Sequence, residues 1–322
     1  MGTLFNEHAT RPRTRVPLAE PSRKRSSLFR AMRRMRSIYS PRISNGREEF
    51  LRMQRRNPQA LETNEFEARQ LESLLGCGYA FAPGFFSKAL ADHIHKKADA
   101  ILCHMPISRA NISEVEDPLV QISEVLDVAF HESILKVVAH FFRHVPPVYR
   151  VAVVRYFPCN GMPHLNGFRQ ETNESDSLEM LIDLVAVDST RGPIVYVPGS
   201  NLYGASGPRL LNAFGLPRDP RRLEDREVEC VYPRETWVTL GGERGSVTAI
   251  HRRGLNKGPA WTFSEGANNK PRTAIRIEST GYKRGLRYEW RGNAMRKWNF
   301  ERMTKFQQLF AHADLVEERM LA

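Results

Sequence analysis

The fold of this chain is decided by the stretch Leu178-Glu-Met-Leu-Ile-Asp-Leu-Val-Ala-Val-Asp-Ser-Thr-Arg-Gly-Pro-Ile-Val-Tyr-Val-Pro-Gly-Ser200. Two apolar runs rich in β-branched residues, Leu178–Val187 and Ile194–Val197, are separated by Gly192-Pro193 and closed by Pro198-Gly199. Short runs of this composition between glycines and prolines are typical of strands joined by turns. The stretch therefore predicts two consecutive strands of a β domain.

The same pattern continues on both sides of this stretch. Further strands are predicted at Val148–Phe157, Thr236–Leu240, Ser246–Ile250 and Arg272–Glu278. Apolar residues at helical spacing precede them and predict helices at 64–76, 87–102 and 122–142, and a last helix is predicted at 294–322. Helices followed by many short strands favour a β-sandwich or barrel with helices packed outside it.

Composition excludes several classes of protein. The chain has 322 residues, of which 41% are hydrophobic, and no apolar run reaches the length of about 18 residues that a membrane-spanning helix needs. The four cysteines include no C-x-x-C pair, which excludes a disulfide scaffold and the usual zinc spacings. We therefore expect a protein of a reducing compartment, the cytoplasm, although residues 1–40 leave targeting to an organelle open.

The positive charge is concentrated at the N-terminus. Residues 1–56 contain 15 Lys and Arg against 4 Asp and Glu, whereas the rest of the chain contains 33 against 32. Residues 1–56 are therefore predicted to be a basic, disordered arm, and residues 57–322 a domain that ends in a helix. The arm could bind a protein, nucleic acid or an anionic membrane surface. The nearly neutral domain itself is not predicted to bind nucleic acid.

Two further stretches accompany the first one in the order of a known family. They are Gly245-Ser-Val-Thr-Ala-Ile-His-Arg-Arg-Gly-Leu-Asn-Lys-Gly258 and Lys270-Pro-Arg-Thr-Ala-Ile-Arg-Ile277. Over roughly residues 70–290 the chain resembles the phytanoyl-CoA dioxygenase family of iron(II)/2-oxoglutarate oxygenases. The resemblance implies a mainly β (α+β) fold with flanking helices around a double-stranded β-helix, the cupin-like jelly roll.

The resemblance also implies an iron site, from which this sequence departs. The family binds iron through two histidines and one carboxylate. Here Arg169 stands at the first histidine, Glu171 at the carboxylate and Asn256 at the second histidine, while Arg272 matches the arginine that holds 2-oxoglutarate. An arginine stays protonated and offers no lone pair to a metal.

These substitutions favour a degenerate iron site. Because residues two apart on a strand share a face, Arg169 and Glu171 are predicted to pair where the metal would lie, with Asn256 completing the hydrogen bonds. The main hypothesis is thus a non-catalytic or iron-independent pseudoenzyme that has no metal cofactor and binds an unknown small molecule, with Arg272 as an anion-binding residue.

Two alternatives stay open. In a second register His164 and Asn166 begin the metal site and His251 supplies another imidazole, which would give an active hydroxylase using Fe(II) and 2-oxoglutarate on an unknown small molecule. In the other alternative, the protein is a scaffold whose basic arm binds nucleic acid or an anionic membrane. The sequence does not indicate a substrate for any of the three.

Overall fold

The computed structural model describes residues 50–55, 58–108, 110–116, 118–146, 148–158, 167–170, 177–202, 223–261, 268–280 and 302–310. The chain divides into two units, Met1–Arg42 and Ile43–Ala322, and all described residues belong to the second. Residues 50–55 are helical and Phe50 is buried in the core. The folded unit therefore begins before residue 57, while most of the predicted basic arm lies outside the described residues.

Besides the helical residues 50–55, six α-helices in the described part of the chain flank the sheets. They are α1 Glu65–Cys77, α2 Lys88–Leu102, α3 Glu124–Ala129, α4 Glu132–Phe142, α5 Asp225–Glu229 and α6 Lys305–Phe310. The single helix predicted at 122–142 is two helices, because His131 has an extended backbone and serves as the N-cap of α4. Only α6 represents the predicted C-terminal helix in the described part of the chain. None of the described helices has the length and apolar character needed to cross a membrane.

Nine strands in the described part of the chain form two antiparallel sheets. They are β1 Tyr79–Ala82, β2 Ile112–Glu116, β3 Val148–Tyr156, β4 Ser177–Asp183, β5 Ile194–Tyr196, β6 Val238–Leu240, β7 Val247–His251, β8 Asn256–Lys257 and β9 Arg272–Thr280. The larger sheet has the order β1-β7-β4-β9-β3-β2 and the smaller one β6-β5-β8. An isolated antiparallel bridge between Arg169 and Asn256 adds one more segment beside β8.

The order in which the chain visits the sheets defines the jelly roll. From β3 in the larger sheet the chain crosses to the smaller sheet at Arg169, returns to the larger sheet at β4 and crosses again to β5 and β6. It then returns to the larger sheet at β7, crosses to the smaller sheet at β8 and ends in the larger sheet at β9. This alternation winds the chain into two facing sheets, which is the double-stranded β-helix. The predicted fold class is therefore confirmed by the strand order.

The larger sheet buries both of its faces. Its outer face packs on the helices, so that Leu178, Met180 and Ile182 of β4 share a core with Leu74 of α1 and Leu135 of α4. On the inner face, Leu181, Ile250 and Ala274 pack with Ile194, Tyr196 and Leu240 of the smaller sheet. Alternate residues of a strand point to opposite faces. Each inward position of β3, β4, β7 and β9 thus faces the space between the sheets, where the candidate site lies.

Candidate functional site

The two positions at which the resemblance leads us to expect histidines, Arg169 and Asn256, lie side by side. Arg169 and Asn256 exchange both backbone hydrogen bonds: the Arg169 amide donates to the Asn256 carbonyl at 2.8 Å, and the Asn256 amide donates to the Arg169 carbonyl at 3.0 Å. The neighbouring Phe168 makes a similar bridge with Leu223. Residues 87 positions apart in the chain are therefore held together by the backbone, independently of their side chains.

The side chains at these two positions have different surroundings. Asn256 is buried, and its Nδ2 donates to the Gly254 carbonyl at 3.0 Å and the Arg169 carbonyl at 3.4 Å. Arg169 is exposed, and its Nη2 donates to the Gly258 carbonyl at 3.2 Å. The side chain of Arg169 therefore lies at the surface, beside the end of β8. Its expected partner, Glu171, lies outside the described residues.

Glycine at position 254 is needed to place Asn256. A Cβ atom on Gly254 would overlap the hydroxyl group of Tyr196. Tyr196 is fully buried on β5, and its hydroxyl donates to the His251 carbonyl at 3.2 Å. Because the chain turns from β7 into β8 in direct contact with this ring, only a residue without a side chain fits there.

A small cavity lies between the two sheets beside this bridge. Its polar lining comes from Tyr156, Arg169, Glu179, Asn256 and Arg272, and its apolar walls come from Leu181, Ile194, Ile250 and Pro259. The volume is about 10 Å³, which is room for about one water molecule. Three residues predicted from the sequence, Arg169, Asn256 and Arg272, thus line one cavity.

Arg272 already has an anionic partner within the protein. It is fully buried, and its Nε and Nη2 lie 2.9 and 2.7 Å from Oδ1 of Asp183, which is also fully buried. Its Nη1 donates to the Gly192 carbonyl at 3.2 Å. Burial raises the pKa of Asp183, and the charge and hydrogen bond of Arg272 counteract that increase. The carboxylate of Asp183 therefore forms an ion pair with the guanidinium group that was expected to bind a ligand anion.

The inner face of the larger sheet also carries a network of charged side chains, which we call the inner charge ladder. Its members are Glu114 on β2, Arg150 on β3, Glu179 on β4, Arg252 after β7, and Arg276 and Glu278 on β9. Three arginines and three glutamates make the ladder neutral overall. It connects four strands and the turn after a fifth, on the face where a jelly roll can enclose a ligand.

The contacts of the ladder are continuous from one edge strand inward. Glu114 lies 2.6 Å from Nη2 of Arg150 and 2.9 Å from Nη2 of Arg276. Glu278 lies 3.4 Å from Nε of Arg276 and 3.1 Å from Nη1 of Arg252. Arg252 in turn approaches Glu179 at 3.6 Å, which brings the ladder to the cavity. Glu179 and Glu278 are register partners, so the arginine between them offsets their mutual repulsion.

The alternative set of metal ligands is not brought together by the described residues. His251 packs edge-on against Phe141 of α4, with ring centroids 5.2 Å apart and an interplanar angle of 74°. It therefore lies on the outer face of β7, like Val247 and Ala249, whereas Ile250 faces the cavity. His164 and Asn166 lie outside the described residues. Nowhere in the described part of the chain do three histidine, cysteine or acidic side chains form a potential metal site.

Comparison with known proteins yields structural likenesses only. No protein-family profile matches the chain, and no curated protein does. The epimerase SnoN, solved in complex with Fe3+, alpha ketoglutarate and nogalamycin RO, is 18% identical over 71% of this chain and 89% of its own, with a TM-score of 0.47. EvdO2 from Micromonospora carbonacea var. aurantiaca, complexed with 2-oxoglutarate, is 12% identical over 70% and 94%, with a TM-score of 0.48.

HygX from Streptomyces hygroscopicus, solved with nickel and 2-oxoglutarate bound, is 12% identical over 66% of this chain and 85% of its own, with a TM-score of 0.48. All three structures contain 2-oxoglutarate (alpha ketoglutarate), and SnoN is described as a non-heme alpha ketoglutarate dependent epimerase. The assignment of the jelly roll to the present chain rests on its own strand order.

Proposed function

We propose that this protein is a phytanoyl-CoA dioxygenase-like jelly roll that works without iron and binds a small molecule at the cavity between its sheets. The observation that carries the proposal is the bridge between Arg169 and Asn256. It holds a guanidinium and a carboxamide at the positions where the resemblance expects two imidazoles. The same cavity is lined by polar groups that a ligand could contact.

The residues present do not fit iron. Arginine cannot ligate a cation, and its charge repels one. A carboxamide oxygen is a weak ligand, and the carboxylate at the cavity, Glu179, is an ion-pair partner of Arg252. Imidazole and carboxylate donors, which Fe(II) sites of this kind use, do not converge among the described residues.

The residues present do not fit 2-oxoglutarate either. Arg272, which the resemblance assigns to its distal carboxylate, is held by Asp183. These contacts support a function in which binding takes the place of oxidation.

The iron content of the protein tests this proposal. For full-length protein produced in iron-supplemented medium and purified without chelators, we expect elemental analysis to find far less than one iron per chain. We also expect no oxygen-dependent release of succinate from 2-oxoglutarate. Stoichiometric, tightly bound Fe(II) in the parent protein would contradict the proposal.

Restoring the two histidines should create a metal site. We expect the double variant Arg169→His, Asn256→His to bind Fe(II) or its stable substitute Co(II), because two imidazoles then stand side by side on the bridge. Co(II) titration followed by visible absorption measures the gain against the parent. The matched control adds Glu171→Gln, which removes the third predicted ligand and should weaken the new site. A double variant with no more affinity for Co(II) than the parent would show that positions 169 and 256 are not at a former metal site.

A further inference from the structure

A further cavity, which we call the outer cavity, lies between the larger sheet and helices α1 and α4. It has a volume of about 40 Å³, and apart from Gln70 and Ser133 its lining side chains are apolar. Leu178 and Met180 of β4 line it from the sheet, on the face opposite the cavity beside Arg169. Side chains that border an empty space lack contacts on one side. The two helices are therefore held less tightly to the sheet here than in the close-packed core.

Aromatic rings connect the start of α4 to the outer cavity. Phe66 of α1 and Phe85, which follows β1, line the cavity and stack on each other with ring centroids 5.5 Å apart. The ring of His131, the N-cap residue of α4, meets Phe85 edge-on at 5.1 Å and an interplanar angle of 81°. It meets Phe86 in the same way at 5.4 Å and 89°. The position of α4 at the cavity is thus coupled to the fit of one imidazole between two phenyl rings.

The surroundings of His131 suit its neutral form. Its Nδ1 is buried, and no described residue makes a hydrogen bond with that atom. The side chain does not cap the helix that it precedes. In the imidazolium form Nδ1 carries a proton. Protonation would therefore place a positive charge and a buried donor without an acceptor against the two phenyl rings, which is costly.

The charges around His131 do not remove this cost. Burial lowers the pKa of His131, and the negative charges of Glu132 on α4 and Glu67 on α1 oppose that decrease without cancelling it. Residues 83–86, which pack on the ring, include no charged side chain, and no charge on α3 acts on it. The packed state thus binds a proton less readily than a state in which the ring meets water. It loses stability as the pH falls below about 6.5, the usual pKa of histidine.

We propose that protonation of His131 is a switch that releases the start of α4 from Phe85 and Phe86 and opens the outer cavity to apolar molecules. At neutral pH the uncharged ring packs between the phenyl rings and the cavity is closed. On acidification the imidazolium turns to water and moves Ser133 and Ile134, which line the cavity in the next turn of α4. The switch does not depend on the proposed iron-independent function, because it lies on the other face of the larger sheet.

Fluorescence of Nile red, a neutral dye that emits strongly in apolar surroundings, tests this inference on the full-length protein. The dye carries no charge, so the basic residues 1–56 do not attract it. As the pH is lowered from about 7.5 to about 5, we expect the fluorescence to rise at least about twofold and to fall again when the pH is restored. Circular dichroism is recorded at each pH. Absence of a rise, or a rise that coincides with loss of the helical signal, would overturn the proposal.

Histidine variants locate the switch. His131→Gln stays neutral over this range and should lose most of the rise, as should His131→Phe, which keeps an aromatic ring. His93→Gln is the control, because His93 is exposed in its pair with Glu124 and should leave the rise unchanged. His95→Gln should also leave it unchanged, although burial lowers the pKa of His95 too. A full rise in both His131 variants, or its loss in His95→Gln, would refute the role of His131.

Amide hydrogen exchange gives a second measurement of the same switch. At about pH 5, residues 132–142 should exchange faster in the parent than in His131→Gln, because the start of α4 is released only where the ring can be protonated. Helix α2 serves as the internal reference and should exchange equally in both proteins. Equal exchange of α4 in the two proteins would contradict the release of this helix.

Discussion

Replacing Arg272 by methionine lowers the free energy of unfolding by about 3–5 kcal/mol, because it leaves the carboxylate of Asp183 buried without its cation. Both side chains are fully buried, and two guanidinium nitrogens lie 2.9 and 2.7 Å from one carboxylate oxygen. The change also removes the donor to the Gly192 carbonyl. Urea denaturation of the full-length chain, followed by circular dichroism, measures the loss.

A second substitution separates the lost ion pair from lost packing. Arg272→Met combined with Asp183→Leu removes both charges, and we expect it to recover most of the stability, because a buried pair can be exchanged for apolar side chains at little cost. Arg244→Met is the matched control: this arginine is about half exposed in its pair with Asp92, and its loss should cost no more than about 1 kcal/mol. If Arg272→Met costs as little as Arg244→Met, the buried pair does not stabilise the fold.

The inner charge ladder should respond strongly to the loss of its central acid. Glu278 has a side chain that is 7% exposed and lies within 3.1, 3.4 and 3.7 Å of nitrogens of Arg252, Arg276 and Arg150. Glu278→Gln leaves these three positive charges close together with less compensation. We expect a loss of about 3 kcal/mol in the free energy of unfolding.

Salt and a matched variant test the cause of this loss. Because the ladder is largely buried, 1 M NaCl should change the effect of Glu278→Gln far less than it changes an exposed pair. Glu243→Gln serves as the exposed control, since Glu243 pairs with Lys88 at 2.9 Å and is about half exposed. The control should cost no more than about 1 kcal/mol. Equal effects of the two glutamine substitutions would show that the ladder contributes no more than a surface ion pair.

The ladder and the Arg272–Asp183 pair both lie on the inner face of the larger sheet. In a jelly roll that holds a metal, bound ions and ligands supply charge at the centre. Here arginine and acidic side chains of the chain itself form ion pairs that connect the strands on the inner face of the larger sheet. The small cavity beside Arg169 and Asn256 lies on this same face of the sheet.

Much of the fold was predictable because the signals are local. The strands around Gly192-Pro193 were placed within a few residues, since β-branched runs and turn residues act on their immediate neighbours. The predicted strand Leu178–Val187 was too long, because pairing in the sheet ends at Asp183. The apolar composition did not indicate that the strand ends at Asp183, because Leu184, Val185 and Val187 are buried although they do not belong to the strand.

The candidate site was predictable in part. The resemblance placed Arg169, Asn256 and Arg272 in one site, and all three line the cavity. Tyr156, Glu179 and Asp183 were missed, although a signal existed. Glu179 and Asp183 are acidic residues that alternate with apolar ones in an otherwise buried strand, and Tyr156 is opposite Arg272 in the register.

By itself the sequence determined the strands on either side of Gly192-Pro193, the order of helices followed by strands that indicates the fold class, and the concentration of positive charge in residues 1–56. Only the tertiary structure decided that Arg272 pairs with Asp183, that Arg169 lies at the surface, that His251 faces the helices and that six charges join into a ladder. The reason is physical. The signals for a strand come from neighbours along the chain, whereas the partner of an inward side chain depends on sheet order and register, which bring together residues as distant as Glu114 and Arg276, 162 positions apart.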